Sequence, residues 1–397
     1  MDITLIPNKL QGAVSAIPSK SHVHRLLICA AFADQPTELI CPDTNRDIEA
    51  TADCLNALGA HILRTGDGYQ VIPTKRIPET AVLNCCESGS TLRFMLPVAC
   101  ALGVDTTFLM EGRLPQRPLS PLWEEMERMG CRLSRPTDNT IRCQGRLHAG
   151  QYTIAGNVSS QFITGLLFAF TLMDGQSRLA VTENLESKPY IDMTVDALKL
   201  FGIESKDFCV SGGKICSPGR IYTEGDWSNA AFFLAAKALG NNVIVTGLSP
   251  NSFQGDRMCV SLFDALSEHA TISAADIPDL VPILSVVASA NRGAVFTDIR
   301  RLRLKESDRV ASVIAMLRAL GGKAKATENT LTVFPCQFQG GTVNACGDHR
   351  IAMSAAIAAT ISVAPVTIIG AECVSKSYPV FWEEYKRLGG CYEQYIR

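Results

Sequence analysis

Along this chain one pattern of hydrophobic and polar positions keeps returning. An amphipathic run ends in a bulky apolar residue and a glycine, and a short run of strand-forming residues follows. "CLNALGAHILRT", "EMERMGCRLSRP", "ALKLFGIESKDF", "MLRALGGKAKAT" and "EYKRLGGCYEQY" carry it, with a weaker copy at "LFDALSEHATIS". Apolar residues three and four apart predict a helix before each glycine. Gly59, Gly130, Gly202, Gly321 and Gly389 fit the position just past a helix end, where a left-handed backbone stops the helix. The copies lie roughly 70 residues apart, the spacing of a repeated supersecondary unit. Each interval holds a second helical run, such as "SSQFITGLLFAFTLM" or "SNAAFFLAAKALG", so six units of mixed strands and two helices are predicted. Three units per domain is the natural division, with a crossover in "SPGRIYTEGDWSNAAF", around Tyr222 to Asp226.

Composition narrows the class without naming it. The 397 residues are 47% hydrophobic and 19% charged, with a formal net charge of -2. That balance argues against nucleic acid as a partner, because such proteins usually carry a basic surplus. The start, "MDITLIPNKLQGAV", lacks a basic segment followed by an apolar one. "GLLFAFTLM" and "IAMSAAIAATISVA" are too short, or too rich in Ala and Ser, to span a bilayer. A cytoplasmic protein without membrane contact is expected. The 15 cysteines are odd in number and form no C-x-x-C pair. Most, such as Cys29 and Cys100, read as buried reduced thiols sitting singly, so neither disulfides nor a metal site is expected.

The chemistry gathers at predicted helix starts. "IPSKSHVHRLLICAAFA" offers Ser19 or Ser21 as a cap, yet crowds Lys20 and Arg25 where the helix dipole is positive. "CCESGSTLRF" sets Ser88, Gly89 and Ser90 before Arg93, and "NVSSQF" offers Ser159 and Ser160 with Gln161 in the first turn. "GDHRIAM" has Asp348 as cap, then His349 and Arg350, and "LRLKESDRV" places Lys305, Glu306 and Arg309 at the front of an amphipathic helix. There Lys305 and Arg309 form a like-charge pair four apart, costing a few tenths of a kcal/mol. A helix N-terminus already attracts anions through its unpaired N–H groups. Glycine, serine and arginine strengthen it, so several such starts together point to ligands with several negative charges. Neither a Walker A motif nor G-x-G-x-x-G occurs, which disfavours ATP and dinucleotides, and G-x-S-x-G is absent. Asp279, between prolines in "IPDLVP", and Glu306 are the candidates for proton transfer, with burial expected to raise the Asp279 pKa. His22 and His24 read as surface or structural residues, without ligand spacing for a metal.

In this order, "PSKSHVHR", "ESGSTLR", "LPQRPLSPL", "NVSSQF", "ESKPYIDMT", "EGDWSNAAFFLAA", "IPDLVP", "LKESDR", "GDHRIAM" and "VSKSYPVF" resemble the 5-enolpyruvylshikimate-3-phosphate synthase family over nearly the whole chain. The resemblance implies an α/β (α+β) fold of two similar domains, each of three βαβαββ units, an inverse α/β barrel. One domain would comprise residues 1–16 plus 225–397, with phosphoenolpyruvate-side and catalytic residues. The other, 17–224, would bind mainly shikimate 3-phosphate, with the active site in a cleft that closes on substrate. The implied reaction moves a carboxyvinyl group from phosphoenolpyruvate to the 5-hydroxyl of shikimate 3-phosphate. By motif, Lys20, Ser21, Arg25, Ser159, Ser160, Gln161, Ser187, Tyr190, Asp279 and Lys305 would contact shikimate 3-phosphate. Lys20, Gly89, Arg93, Arg117, Gln161, Arg309, His349, Arg350 and Lys376 would meet phosphoenolpyruvate. Asp279 would act as base and Glu306 as acid, with Lys20 assisting. The resemblance further implies a monomer without cofactor or metal, and Gly89 predicts room for glyphosate.

Three positions depart from the family pattern: Glu87 and Gly347 stand where relatives carry Asn, and Arg301 where some carry a substrate-binding Asn. Two other readings compete. The sister transferase on UDP-N-acetylglucosamine begins its first helix Lys-Asn and uses a loop cysteine, absent from "GRLPQRPLSP" here. A non-catalytic anion-binding repeat protein would need neither Asp279 nor Glu306.

Overall fold

The computed structural model describes residues 1–395. The chain forms two compact units, Met1–Ile17 with Gly225–Arg397, and Pro18–Glu224. Each has its own buried apolar core. A fully buried Leu or Phe in such a core contributes about 1.5–3 kcal/mol.

The repeat is visible in the strand order. Thr80–Asn84 runs parallel to Asp105–Leu109, which pairs antiparallel with Thr140–Gly145, and that strand pairs antiparallel with Cys131–Thr137. The order parallel, antiparallel, antiparallel recurs in five of the six sheets among the described residues. The sixth, in the unit holding the N-terminus, has only two parallel strands, Gln11–Ser15 and Asn242–Thr246. The residues after it, "GLSPNSFQGDRM", are rich in turn formers and fold as turns and a short 3-10 helix, Gly255–Met258. Two sheets are completed from a distance. Arg220–Tyr222 adds a parallel strand beside Thr37–Ile40, and Asp2–Ile6 enters between Val366–Ile369 and Cys391–Tyr395.

Helices follow the predicted pattern. Gly59, Gly130, Gly202, Gly321 and Gly389 all have positive φ, between 78° and 110°. Ser160–Thr171, Val281–Ala290 and His349–Ala359 are buried almost throughout, as helices apolar on every side must be. Gly89–Leu102 packs on Ser160–Thr171, which sets their N-termini side by side. None of the described helices is long and apolar enough to cross a membrane. One expectation fails within the core: Cys100 does not sit singly, because its sulfur and those of Cys131 and Cys143 lie within 4.8 Å of one another. Sheet pairing and helix packing bring these distant cysteines together.

Candidate functional site

In the unit Pro18–Glu224, the cations of the helix starts are held by neighbours both near and far in sequence. Ser19 is the N-cap of Lys20–Ala31, though its side chain makes no capping bond, and Ser21 lies inside the first turn. Lys20 Nζ donates to Asp47 Oδ2 at 2.8 Å, both side chains largely shielded from water. Arg25 is buried and uses its donors on Thr194 Oγ1 (2.9 Å), the Ser21 carbonyl (2.5 Å) and the Tyr190 carbonyl (2.7 Å). Its guanidinium also sits 5.4 Å from the Phe94 ring centroid. Burial pulls its pKa down to about 10.

Gly89 opens the helix Gly89–Leu102, with Ser88 as cap accepting from Thr91 N at 3.2 Å. A Cβ at position 89 would lie 2.6 Å from Arg117 Nη1 and 2.8 Å from Arg93 Nη1. Two guanidinium groups therefore meet over the first residue of a helix, where glycine alone leaves them room. Arg93 is fixed by the Gly89 and Pro118 carbonyls at 3.2 and 3.0 Å, while Arg117 follows the short 3-10 helix Leu114–Gln116. Positive side chains added to a positive dipole end favour an anion there. Ser159 caps Ser160–Thr171, and Gln161 Nε2 donates to Ser90 Oγ at 2.9 Å, joining two helix starts. Ser187, buried and left-handed at φ 57°, precedes Lys188–Leu200, whose first turn holds Tyr190.

The histidines have structural places. His24 is buried, with Nδ1 2.7 Å from Thr51 Oγ1, and burial lowers its pKa to about 3. His22 Nδ1 accepts from Glu224 N at 3.3 Å, and burial together with Arg25 lowers its pKa to about 4. His24 is thus buried and structural, and His22 is half-buried.

In the unit Met1–Ile17 with Gly225–Arg397, Asp279 lies just ahead of Val281–Ala290, whose N-cap is Leu280. Its carboxylate meets three cations: Arg309 Nη1 at 2.5 Å, Lys305 Nζ at 3.2 Å and Arg350 Nη2 at 3.4 Å. Burial alone would raise the Asp279 pKa, as the sequence suggested. Arg350, Lys305 and Arg309 override it and hold the group well below the usual carboxylate range. Burial lowers Lys305 to about 8 against the pull of Asp279.

Arg309 is the centre of this group. Only 1% of its side chain is exposed, and it also bonds Glu306 Oε2 at 2.6 Å and Asp348 Oδ2 at 2.8 Å. Its helix begins at Arg309 with Asp308 as cap, so Lys305 and Glu306 lie in the preceding turn instead of on the helix front. The two cations are therefore not paired along one helix, although both reach Asp279 Oδ1; Asp308 takes the cap, its carboxylate accepting from Ala311 N. Asp348 is the cap of His349–Ala359, accepting from Arg350 N and Ser307 Oγ, both at 3.0 Å. His349 and Arg350 are buried in that helix's first turn, and half-buried Lys376 ends the 3-10 helix Ala371–Lys376.

Sequence reasoning missed Asp47, the counter-ion role of Asp348, and Asp256. The last is buried, accepts from Ser228 Oγ, and is pushed up to about 6 by burial and by Asp279. Nothing in "NSFQGDRM" signals this. The first unit offers a cradle for anions, and the second holds two carboxylates tied to one guanidinium, a pairing suited to moving protons near bound charge.

The family model described as EPSP synthase (3-phosphoshikimate 1-carboxyvinyltransferase) matches residues 5–274 and 266–385. A 3-phosphoshikimate 1-carboxyvinyltransferase of Clostridium acetobutylicum is 37% identical, covering 98% of this chain and 97% of its own length. One of Clostridium beijerinckii is 35% identical, with 99% of both covered. The solved EPSP synthase of Acinetobacter baumannii shares the fold, with a TM-score of 0.80 at 23% identity over 99% of this chain and 100% of that one. So does the enolpyruvyl transferase NikO of Streptomyces tendae, at 0.75 and 17% identity over 99% and 98%.

Proposed function

The chain belongs to the EPSP synthase (3-phosphoshikimate 1-carboxyvinyltransferase) family, and on that premise we propose that it transfers the enolpyruvyl group of phosphoenolpyruvate to the 5-hydroxyl of shikimate 3-phosphate. The observation that carries the reading is the group around Arg309, where Asp279 and Glu306 share one buried guanidinium. Glu306 protonates the methylene carbon of phosphoenolpyruvate while Asp279 takes the proton of the attacking hydroxyl. The product of addition is a tetrahedral phosphate ketal. Loss of a methyl proton then expels phosphate and restores the double bond in the product.

Lys20, Ser21, Arg25, Ser159, Ser160, Gln161, Ser187, Tyr190 and Lys305 hold shikimate 3-phosphate together with Asp279. Lys20, Gly89, Arg93, Arg117, Gln161, Arg309, His349, Arg350 and Lys376 hold phosphoenolpyruvate, and Lys20 assists the proton transfers. Fixed cations stabilise the departing phosphate because they need no reorientation as charge develops. The unit Pro18–Glu224 supplies mainly the shikimate 3-phosphate set, and the other unit the catalytic carboxylates. Glyphosate competes at the phosphoenolpyruvate set, and the protein works as a cytoplasmic monomer.

The test is phosphate release from phosphoenolpyruvate with shikimate 3-phosphate, and in parallel with UDP-N-acetylglucosamine, for the native protein, Asp279→Ala and Glu306→Ala. Turnover with shikimate 3-phosphate alone, lost in both variants, is expected. Turnover with the nucleotide sugar, or none with either acceptor in a folded protein, overturns the reading.

A further inference from the structure

Away from the helix starts, one cluster of ligating side chains has no part in the proposed reaction. Cys100 lies near the C-terminal end of Gly89–Leu102, Cys131 opens the strand Cys131–Thr137, and Cys143 sits in the neighbouring strand Thr140–Gly145. In that pair Cys131 faces Gly145 and Leu133 faces Cys143. The two cysteines are therefore diagonal neighbours on one face, the geometry in which cross-strand side chains meet. The helix delivers Cys100 to the same point, and the three sulfurs lie within 4.8 Å of one another. Exposures of 0%, 5% and 0% for Cys100, Cys131 and Cys143 seal the cluster from bulk water.

Three sulfurs around one soft ion at about 2.3 Å stand about 4 Å apart, so small side-chain shifts suffice to close the cluster on a metal. Metal binding would release the thiol protons to solvent. Among the described residues the cluster contains three members, without imidazole or carboxylate. Soft thiolates select copper(I) or zinc, and zinc would need a water or outside ligand for its tetrahedral fourth position.

We propose that Cys100, Cys131 and Cys143 form a buried three-thiolate site for a soft, thiophilic metal ion, copper(I) best matching the trigonal set. Eleven residues of helix, about 16 Å, separate Cys100 from Gly89, so the site is structural and lies apart from the anion-binding helix start.

The full-length protein is titrated anaerobically with copper(I) in the presence of a competing chelator, with zinc(II) in a second arm, and the bound ion is examined by X-ray absorption. One ion per chain with three sulfur neighbours at about 2.3 Å is expected. Cys131→Val and Cys143→Val, close in volume and apolar, should weaken copper(I) binding about 100-fold, while Cys29→Ala, buried elsewhere, should not. Circular dichroism and phosphate-release activity, both unchanged, show that the variants fold. Zinc held by the same three sulfurs plus one oxygen also supports the site. Binding as tight in both variants as in the native protein, a sulfur count other than three, or no retained ion overturns the proposal. If the variants do not fold, the sulfur count in the native protein decides.

Discussion

Arg309 and Asp279 are joined at 2.5 Å, and the same buried guanidinium also holds Glu306 and Asp348. One cation thus organises three carboxylates that come from three separate segments. Replacing Arg309 with Ala leaves Asp348, fully buried, without its partner, and a broken buried pair costs about 3–5 kcal/mol. Urea unfolding of Arg309→Ala should show a loss of that order. Asp279→Asn should cost far less stability, because Asp279 keeps some exposure, yet turnover should fall about 10²–10⁴-fold. Equal stability losses for the two variants would contradict this division of roles.

Glu306→Gln keeps the length of the side chain and removes the acid. Turnover should fall about 10²–10⁴-fold while both substrates still bind. In heavy water the native protein, with both substrates, should place deuterium in the methylene group of phosphoenolpyruvate, and the variant should not. Deuterium uptake at the native rate would assign the acid elsewhere.

Lys305 titrates at about 8 because burial disfavours its charge. Above that pH the ammonium beside Asp279 is lost, and with it a contact for an anionic substrate. The profile of kcat/KM, which reports the free protein, should therefore fall on the alkaline side near that value. Lys305→Arg stays charged and should move the limb upward by more than about one pH unit. A profile identical in the variant would sever the link to Lys305.

A methyl group at position 89 would press on Arg117 and Arg93. Gly89→Ala should displace both guanidinium groups, raise the KM for phosphoenolpyruvate, and reduce inhibition by glyphosate more strongly still. Steady-state inhibition kinetics decide this; unchanged sensitivity to glyphosate would mean that neither arginine bounds its site.

Acid should destabilise the fold partly through His24. Its folded pKa is about 3, below the ordinary value of 6.5. Between those values the unfolded chain binds a proton that the folded one does not. Its contribution is complete above 6.5 and is lost progressively as pH falls toward 3. Urea midpoints measured from about pH 7 down to about pH 4 should fall less steeply in His24→Gln than in the native protein.

The caps at Ser88, Ser159 and Asp348 were legible because a cap acts over three residues. The five helix-ending glycines were legible for the same reason, and their spacing announced the repeat. The two strands that complete sheets from a distance were not, since Asp2–Ile6 pairs with residues more than 360 positions away. Local pattern equally failed at Lys305 and Glu306, where a turn runs on because Asp308 is the better cap.

By itself, then, the sequence determined where most helices begin and end, that the units repeat, and that cations gather near helix starts. These are short-range consequences of backbone geometry and side-chain type. Only the tertiary structure decided which distant carboxylate meets each cation: Asp47 for Lys20, and Asp348 and Asp279 for Arg309. It also reversed the expected shift of Asp279. Charge interactions act through space across elements distant in the chain, and burial sets their strength, so neither can be read from neighbours along it.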